Sequence, residues 1–593
     1  MSGNAVPIRD YALLGDGRTT ALVSREGSID WLCLPDLDSP SVLGRILDDE
    51  KGGQLALRLP PGCESSRRYV PDTNVLETTF RTGEGVVRVT DALTLPDRAL
   101  SPLRELVRRF ECLSGDVEVG WTLAPRFDYG RRRGRIEVRR GVAIAHSGSV
   151  AVAVVAGGGE PEVRDEEIGG RIALRQGEEA LLTLVASHQE PLVLPSPPET
   201  LRRLEATIDF WREWALSRAY EGPWRGAVVR SALLLKLLVY APSGAVAAAP
   251  TTSLPEQLGG GRNWDYRFCW VRDSAFTLDS LLSLGCGSES HAFFWWLMHA
   301  SQLTHPRLQV LYRLDGRTSA QEQTLPLAGY AGSAPVRIGN GAVDQLQLDV
   351  YGDLLRSVWL YVGAGNSLDR DTARRVARIA DHVATIWETP DSGIWEVRSA
   401  PIHFTQSKLM CWIALDRALA LADAEEIPAR HAARWRRERD RIAEFVETRC
   451  WWDEEATYRR AVGVDEVDAS LLLGVICGYG GGDADRLSST VEAVRRQLAD
   501  GPFVRRYSGD DGLEGGEGAF VTCSFWLADA LARIGRIDDA AALMEELLAC
   551  ANDVGLYAEE IDPESGDFLG NFPQGLTHLA LIGAATSCAE RLQ

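Results

Sequence analysis

The stretch Asp391-Ser392-Gly393-Ile394-Trp395-Glu396-Val397-Arg398 stands between two long helical patterns, near 369–387 and 405–423. Gly393 predicts a turn, because glycine adopts backbone conformations that other residues avoid. The turn ends in Trp395-Glu396, a pair that sets a carboxylate beside a large apolar ring. An indole wall desolvates a carboxylate and raises its pKa, which suits a general acid. A surface loop with a solvated glutamate is the alternative for this stretch alone.

The same helix–loop–helix arrangement is repeated on both sides of this stretch, from about residue 222 to the end. Apolar residues recur with a period of 3.6, which indicates helices. Long connections alternate with short ones, and alternate connections of antiparallel helices lie at the same end. The pattern therefore predicts a ring of helical hairpins with its working loops on one face. We expect twelve helices, near 222–240, 272–285, 289–303, 343–363, 369–387, 405–423, 428–448, 467–478, 484–498, 520–535, 537–550 and 573–590.

The first part of the chain has a different pattern. Residues 8–190 contain many short apolar alternations broken by turn signals, a spacing that is typical of an antiparallel sandwich. A proline-rich break follows at 191–198, and then a helical linker. We therefore predict an N-terminal β-sandwich over 1–198, a helical linker over 199–221 and a helical catalytic domain over 222–593.

Composition excludes several classes of function. The 593 residues carry a net charge of −21 and a pI near 5.0, which argues against nucleic-acid and anionic-membrane partners. The N-terminal residues 1–9 have no apolar signal core, and no apolar run has the length of a membrane span. Eleven scattered cysteines show no zinc-ligand spacing. We expect a cytoplasmic protein with reduced thiols and without metal or cofactor; its oligomeric state is not indicated.

Three of the long connections carry residues suited to one chemistry. One contains Glu396, one contains Glu559-Glu560, and one is the aromatic-rich run Asn263–Asp273. Glycoside hydrolysis needs two carboxyl groups, one to protonate the leaving oxygen and one to activate water or attack carbon. Arg272-Asp273 can bond vicinal sugar hydroxyls, and aromatic rings stack on a pyranose. Each feature has an alternative: a helix cap with an internal ion pair, a solvated acidic turn, and aromatic core packing.

The order of the motifs along the chain is also informative. The sequence resembles glycoside hydrolase family 15, the family of glucoamylases, glucodextranases and bacterial trehalases, and most of all its bacterial and archaeal branch. The resemblance implies an N-terminal antiparallel β-sandwich joined to an (α/α)6 barrel. It also implies hydrolysis of an α-glucoside with inversion at the anomeric carbon. The motifs that carry it are 8–16, 27–35, 251–256, 263–273, 339–352, 393–396, 517–520 and 558–560.

The resemblance also implies roles for individual residues. By motif position, Glu396 corresponds to the general acid and Glu559 to the general base that activates water. Fungal members have a second carboxylate after the acid, where this chain has Val397. That difference makes long starch chains a poor expectation. The residues expected to bind the sugar are Arg272, Asp273, Tyr266, Trp270, Trp395 and Arg506.

The expected activity follows from these roles. We expect an exo-acting inverting hydrolase that removes glucose from short isomalto- or malto-oligosaccharides, with the two carboxyl groups about 6.5–9.5 Å apart. Hydrolysis of α,α-trehalose by the same pair is the alternative. A glycoside phosphorylase would need the acid but would replace the activated water by phosphate, so the presence of Glu559 argues against it. A non-catalytic sugar-binding protein would be expected to lack one of the two glutamates.

Overall fold

The computed structural model describes residues 5–95, 103–157, 159–509 and 515–592. Its N-terminal part is built from antiparallel strands joined into one connected sheet system. These strands are β1 Tyr11–Gly15, β2 Thr20–Ser24, β3 Ile29–Cys33, β4 Ser41–Leu43, β5 Gln54–Arg58, β6 Glu64–Tyr69, β7 Leu76–Arg81, β8 Gly85–Leu93, β9 Arg104–Ala124, β10 Arg126–Phe127, β11 Arg132–Arg133, β12 Arg135–Arg139, β13 Val142–Ser147, β14 Val150–Ala156, β15 Glu162–Arg164, β16 Glu167–Arg175 and β17 Glu179–His188. Strands β10 and β11 form a separate two-stranded ribbon.

The long strand β9 belongs to both layers of the sandwich. Its first half pairs with β8 and β17, and its second half pairs with β5 and β16. Alternate side chains of the second half, such as Val119 and Trp121, are buried. Because successive side chains of a strand point to opposite faces, this alternation turns one face to the core. The predicted antiparallel sandwich is confirmed.

Helices form the remainder of the chain. Helix α1 begins with a capping box, in which Glu199 accepts a hydrogen bond from the backbone N–H of Ser196 at 2.9 Å. The helices are α1 Pro197–Leu216, α2 Arg225–Leu238, α3 Ser274–Ser283, α4 Gly287–Gln302, α5 Asp349–Gly363, α6 Arg370–Ile386, α7 Thr405–Asp423, α8 Ala432–Phe445, α9 Leu473–Ile476, α10 Ala484–Leu498, α11 Val521–Arg533, α12 Ile537–Ala549 and α13 Gly575–Leu592.

Six of these helices form a closed inner ring. The contacts run from α3 to α5, α7, α9, α11 and α13, and from α13 back to α3. Helix α11 buries every residue from Val521 to Ala532, as expected of a helix surrounded by others. Helix α6 buries one apolar stripe against its neighbours and leaves its charged residues outside. The inner and outer rings confirm the expected (α/α)6 barrel.

Two predicted helices differ from the observed ones. The pattern near 467–478 forms a short 3-10 turn and the four-residue helix α9. The helix expected near 343–363 begins only at Asp349. The residues before it include a separate 3-10 turn, Gly341–Asp344, which the Asn340 side chain caps. The domain boundaries at 198 and 221 remain a proposal. Within the described ranges, no helix is both long and apolar enough to cross a membrane.

Candidate active site

The long connections of the barrel meet at one pocket. The connections after α2, α4, α6 and α10 line it together, as predicted for loops at the same end of the ring. The pocket encloses about 620 Å³, including its open mouth. Its lining residues are Glu256, Arg262, Trp264, Tyr266, Arg272, Asn340, Ala342, Gln345, Ile394, Trp395, Glu396, Arg398, Arg506, Tyr507 and Phe520.

The loop that carries Glu396 is tied at its base and at its tip. Its base is closed by mutual backbone hydrogen bonds of Asp391 and Ile402, at 2.9 and 3.1 Å. At the tip, Glu396 has a positive φ of 59°, a left-handed conformation that is costly for a residue with a side chain. The Gln345 amide donates to the backbone carbonyls of Glu396 at 3.1 Å and of Val397 at 3.3 Å. These bonds hold the peptides on the carboxyl side of the strained residue.

The carboxyl group of Glu396 contacts two residues of the 263–273 run. Trp270 donates from Nε1 to Oε1 over 2.6 Å, and Arg272 lies 3.4 Å from the same oxygen. Burial raises the pKa of Glu396, while Arg272 and the Trp270 hydrogen bond oppose the rise. The sequence suggested Trp395 as the indole beside this carboxylate. The indole that bonds to it is instead Trp270, and the Trp395 N–H donates to both oxygens of Asp468, at 2.9 and 3.0 Å.

Arg272 and Asp273 form an ion pair at the start of α3, with 2.7 Å between Nε and Oδ1. Both side chains are only 10% exposed. Asp273 stands at the N-cap position of α3 and the internal ion pair of the alternative is present, but the Asp273 side chain forms no cap hydrogen bond with the helix. Arg272 also lines the pocket. The pair is therefore placed for bonding sugar hydroxyls, a role that stays a proposal.

Tyr266 and Trp270 lie in a buried aromatic group next to the carboxyl groups. Their ring centres are 5.1 Å apart, and the rings are tilted by 37°. Tyr266 lines the pocket. Burial raises the pKa of the Tyr266 hydroxyl, and the negative charges of Glu559, Glu256 and Glu396 raise it further. This hydroxyl therefore remains a neutral hydrogen-bonding group within range of all three carboxylates.

Glu559 and Glu560 are fully buried, so the alternative of a solvated acidic turn is wrong. The backbone N–H of Asn571 donates to Glu559 Oε2 at 3.1 Å. The other oxygen, Oε1, is buried and has no hydrogen-bond partner among the described residues. Burial raises the pKa of Glu559, while the Tyr266 hydroxyl and the charge of Arg506 oppose the rise. A buried carboxylate oxygen without a partner is suited to accept a hydrogen bond from a bound water.

Arg506 is fixed by three glutamates. Its guanidinium lies 3.1 Å from Glu256 and 3.1 Å from Glu560, and it bonds to both oxygens of Glu517. Burial raises the pKa of Glu256 to about 8. The three carboxylates have oxygens within 4.8 Å of one another, a spacing that suits a metal ion. The Arg506 guanidinium bonds to all three, and Arg262 lies 3.1 Å from Glu517 and 3.9 Å from Glu256, so two arginines supply positive charge to this group.

Sequence reasoning missed several pocket residues. Gln345 belongs to a quoted motif but was given no role, and Arg398 stands only two positions after Glu396. The short distance in sequence between Arg398 and the expected acid, Glu396, could have identified Arg398 as a pocket residue. Tyr507 and Phe520 also line the pocket. The resemblance supplied a signal for both, since Tyr507 follows Arg506 in a pair that resembles the family's Arg-Tyr near the sugar and Phe520 ends the 517–520 motif.

Two family comparisons cover nearly the whole chain. The sequence model described as Glycosyl hydrolases family 15 matches residues 222–586. The model described as Trehalase-like, N-terminal matches residues 1–200. The trehalase-like match thus covers the N-terminal sandwich, and the family 15 match covers the barrel that follows it.

Individual proteins with similar sequences or structures agree with these matches. A trehalase of Mycobacterium tuberculosis is 39% identical over 98% of this chain and 89% of its own length. A trehalase of Thermoplasma volcanium is 34% identical over 99% of this chain and 94% of its own. A bacterial glucoamylase solved with acarbose superposes with a TM-score of 0.72 at 13% identity, over 99% of this chain and 94% of its own. This last likeness concerns the fold alone.

Proposed function

This chain belongs to glycosyl hydrolases family 15, and from that membership we propose that it hydrolyses α,α-trehalose, with Glu396 as general acid and Glu559 as general base. The protein is a glycoside hydrolase that acts on sugar substrates. Its relatives favour trehalose over the short isomalto- or malto-oligosaccharides that were expected first, because the full-length relatives described above are trehalases. The catalytic pair is the same for both substrates.

One observation carries the assignment of the pair. Glu396 lies in the pocket with its carboxyl group bonded to Trp270, whereas Glu559 has a buried oxygen, Oε1, that meets no hydrogen-bond criterion with the described residues and lies in a carboxyl group whose pKa the Tyr266 hydroxyl influences. An inverting hydrolase requires these two arrangements, a proton donor at the glycosidic oxygen and a carboxylate that holds the attacking water. Glu560 is less suited to the role of base, because Arg506 and the Gly518 backbone N–H already occupy its two oxygens.

The reaction then proceeds in one displacement. Glu396 transfers its proton to the oxygen between the two glucose units, and Glu559 removes a proton from the water that attacks the anomeric carbon. The attacked glucose leaves as the β anomer, and the leaving glucose keeps its α configuration. Burial raises the pKa values of both Glu396 and Glu559. The catalytic roles require Glu396 to be protonated and Glu559 ionised at the working pH, and this difference stays a prediction, as does the carboxyl separation of about 6.5–9.5 Å.

Glucose release by the purified protein tests this proposal. Trehalose, isomaltose, maltose and soluble starch are compared, with and without phosphate, and fresh products are followed by NMR. We expect trehalose to be hydrolysed fastest, with α- and β-glucose formed at first in equal amounts. Glucose release from isomaltose but not from trehalose would overturn the assignment of trehalose as the substrate. Formation of glucose 1-phosphate, with no reaction when phosphate is left out, would indicate phosphorolysis and overturn the proposed hydrolysis.

Three variants test the pair itself. Glu396→Gln and Glu559→Gln should each lower kcat by at least about 100-fold, because each removes a proton-transfer step. Glu564→Gln is the matched control, since Glu564 is an exposed glutamate in the same connection as Glu559. It should retain the full rate. A full rate for either of the first two variants would contradict that residue's role.

A further inference from the structure

We propose that Arg398 is the residue that binds the leaving sugar. It acts in a mouth formed by Trp264, Arg337 and Glu322, and we call these four residues the mouth cluster. The inference rests on the proposed role of Glu396, because that carboxyl group marks the position of the bond to be cleaved.

The direction of the chain after Glu396 places Arg398 at the mouth. Val397 is only 3% exposed and packs against Phe404 and Ala461, so its side chain points into the core. Arg398 lines the pocket, and its side chain is 40% exposed. Arg272, which contacts Glu396 from inside, is 10% exposed. The pocket thus contains a buried arginine in contact with the Glu396 carboxyl group and an exposed arginine two positions after Glu396.

The general acid protonates the oxygen that joins the two sugars. The sugar whose anomeric carbon is attacked therefore lies on the inner side, with Arg272, Tyr266 and Glu559. The leaving sugar lies on the outer side, where Arg398 is the exposed cation of the mouth cluster. Val397 cannot take this part, because it is apolar and its side chain is buried.

Contacts within the mouth cluster hold Arg398 in place. Its guanidinium carbon lies 4.3 Å from the centre of the Trp264 ring, and its NH2 lies 3.0 Å from Glu322 Oε2. Arg337 lies over the same ring at 4.6 Å and pairs with the other oxygen of Glu322 at 3.4 Å. Stacking on an aromatic ring and pairing with a carboxylate restrict a guanidinium that is otherwise long and flexible.

Arg398 keeps hydrogen-bond donors for a ligand. A guanidinium has five N–H groups in a planar fork. The bond to Glu322 uses NH2, and Nε and NH1 have no partner among the described residues. A fork of donors at this place fits two neighbouring hydroxyls of a second pyranose. The geometry therefore favours a neutral, hydroxyl-rich leaving group.

A comparison of two substrates tests the proposal. Trehalose has a leaving sugar, whereas α-glucosyl fluoride fills only the inner part of the pocket and loses fluoride. Arg398→Leu should lower the ratio of kcat/KM for trehalose to that for the fluoride by about 10- to 100-fold, because hydrogen bonds to a charged group are lost. Arg164→Leu, at an exposed arginine of the sandwich paired with Glu162, should leave the ratio unchanged.

Two further readouts separate this role from damage to the fold or to the acid. Arg398→Lys keeps the charge without the fork, so the ratio should fall in the same direction by a smaller factor. The pH profile of Arg398→Leu should match that of the unmodified protein, because the acid is untouched. An unchanged ratio, or a parallel loss on both substrates, would overturn the proposal.

The proposal and the substrate assignment can fail separately. If the unmodified protein cleaves isomaltose and not trehalose, the proposed function fails. The ratio of kcat/KM for isomaltose to kcat/KM for α-glucosyl fluoride then tests the role of Arg398 in the same way.

Discussion

Replacement of Gln345 by leucine tests how the acid is held. The two hydrogen bonds from its amide, at 3.1 and 3.3 Å, support the peptides around a residue with a φ of 59°. Each neutral bond contributes about 0.5–1.5 kcal/mol, and the left-handed conformation costs about 1–2 kcal/mol. Loss of both bonds therefore removes about 2 kcal/mol of support for this conformation. The backbone of Glu396 can then relieve its strain by leaving the left-handed region, which turns the carboxyl group away from its active position. That energy corresponds to about 30-fold in the population of the active arrangement.

Steady-state kinetics on trehalose give the decisive numbers. In Gln345→Leu we expect kcat to fall about 30-fold and KM to change little, because Arg272 and Asp273 are untouched. The basic limb of the pH profile should also shift, since it reports the pKa of the acid. Gln497→Leu, at an exposed glutamine of α10 that pairs with Glu455, should match the unmodified protein. A folded Gln345→Leu protein with kcat within twofold of normal and an unshifted profile would refute the reasoning.

Three other predictions concern the surroundings of the pair. Arg506→Met removes the guanidinium that bonds to Glu256, Glu517 and Glu560 and leaves them, among the described residues, only Arg262 as a cation, 3.1 Å from Glu517. It should lower the free energy of unfolding by about 3–5 kcal/mol in chemical denaturation at pH 7. Glu256 has a folded pKa of about 8, so its contribution to stability is present at low pH and is lost as pH rises toward that value. Glu256→Gln should therefore match the unmodified Tm near pH 5 and exceed it increasingly up to about pH 8, above which the difference levels off; a difference that stays constant from pH 5 to pH 8 would contradict this. Gly570 has a φ of 70°, and a Cβ there would lie 2.6 Å from Glu559 Oε2, so Gly570→Ala should lower kcat far more than the clash-free Gly535→Ala. Equal losses of activity in the two variants would count against a tight fit around Glu559.

The sequence predicts the barrel well because its helices carry their own signals. A buried inner helix such as α11 reads as almost continuously apolar, and an outer helix such as α6 shows one stripe. The alternation of long and short connections then places the working loops at one end. The 467–478 region is the exception. Its apolar content fits a helix, but the chain there makes a 3-10 turn started by Asp468, whose side chain caps Ser470 and binds Trp395.

The contacts of the site residues could be predicted less well. Trp270 reaches Glu396 across 126 positions of the chain, and the sequence pattern gives no sign that this indole, rather than the adjacent Trp395, meets the carboxylate. The direction of Val397 is decided by packing against Phe404, which a local pattern does not contain. Arg506 was expected near the sugar, but two of its three carboxylate partners, Glu256 and Glu560, come from other connections. Such through-space partners depend on the assembled barrel.

The closure of the inner ring sets an order of events during synthesis. Helix α13 completes the ring by meeting α3, and Glu559 lies in the connection just before it. At the other end of the chain, the backbone carbonyls of Arg9 and Tyr11 accept hydrogen bonds from Asn552, at 3.1 and 2.9 Å. Contacts this distant in sequence form late, because a long stretch of chain must first be ordered. A ribosome-bound chain that stops short of α13 thus contains Glu559 but lacks the helix that closes the ring behind it. We therefore expect hydrolysis only after this last helix has docked.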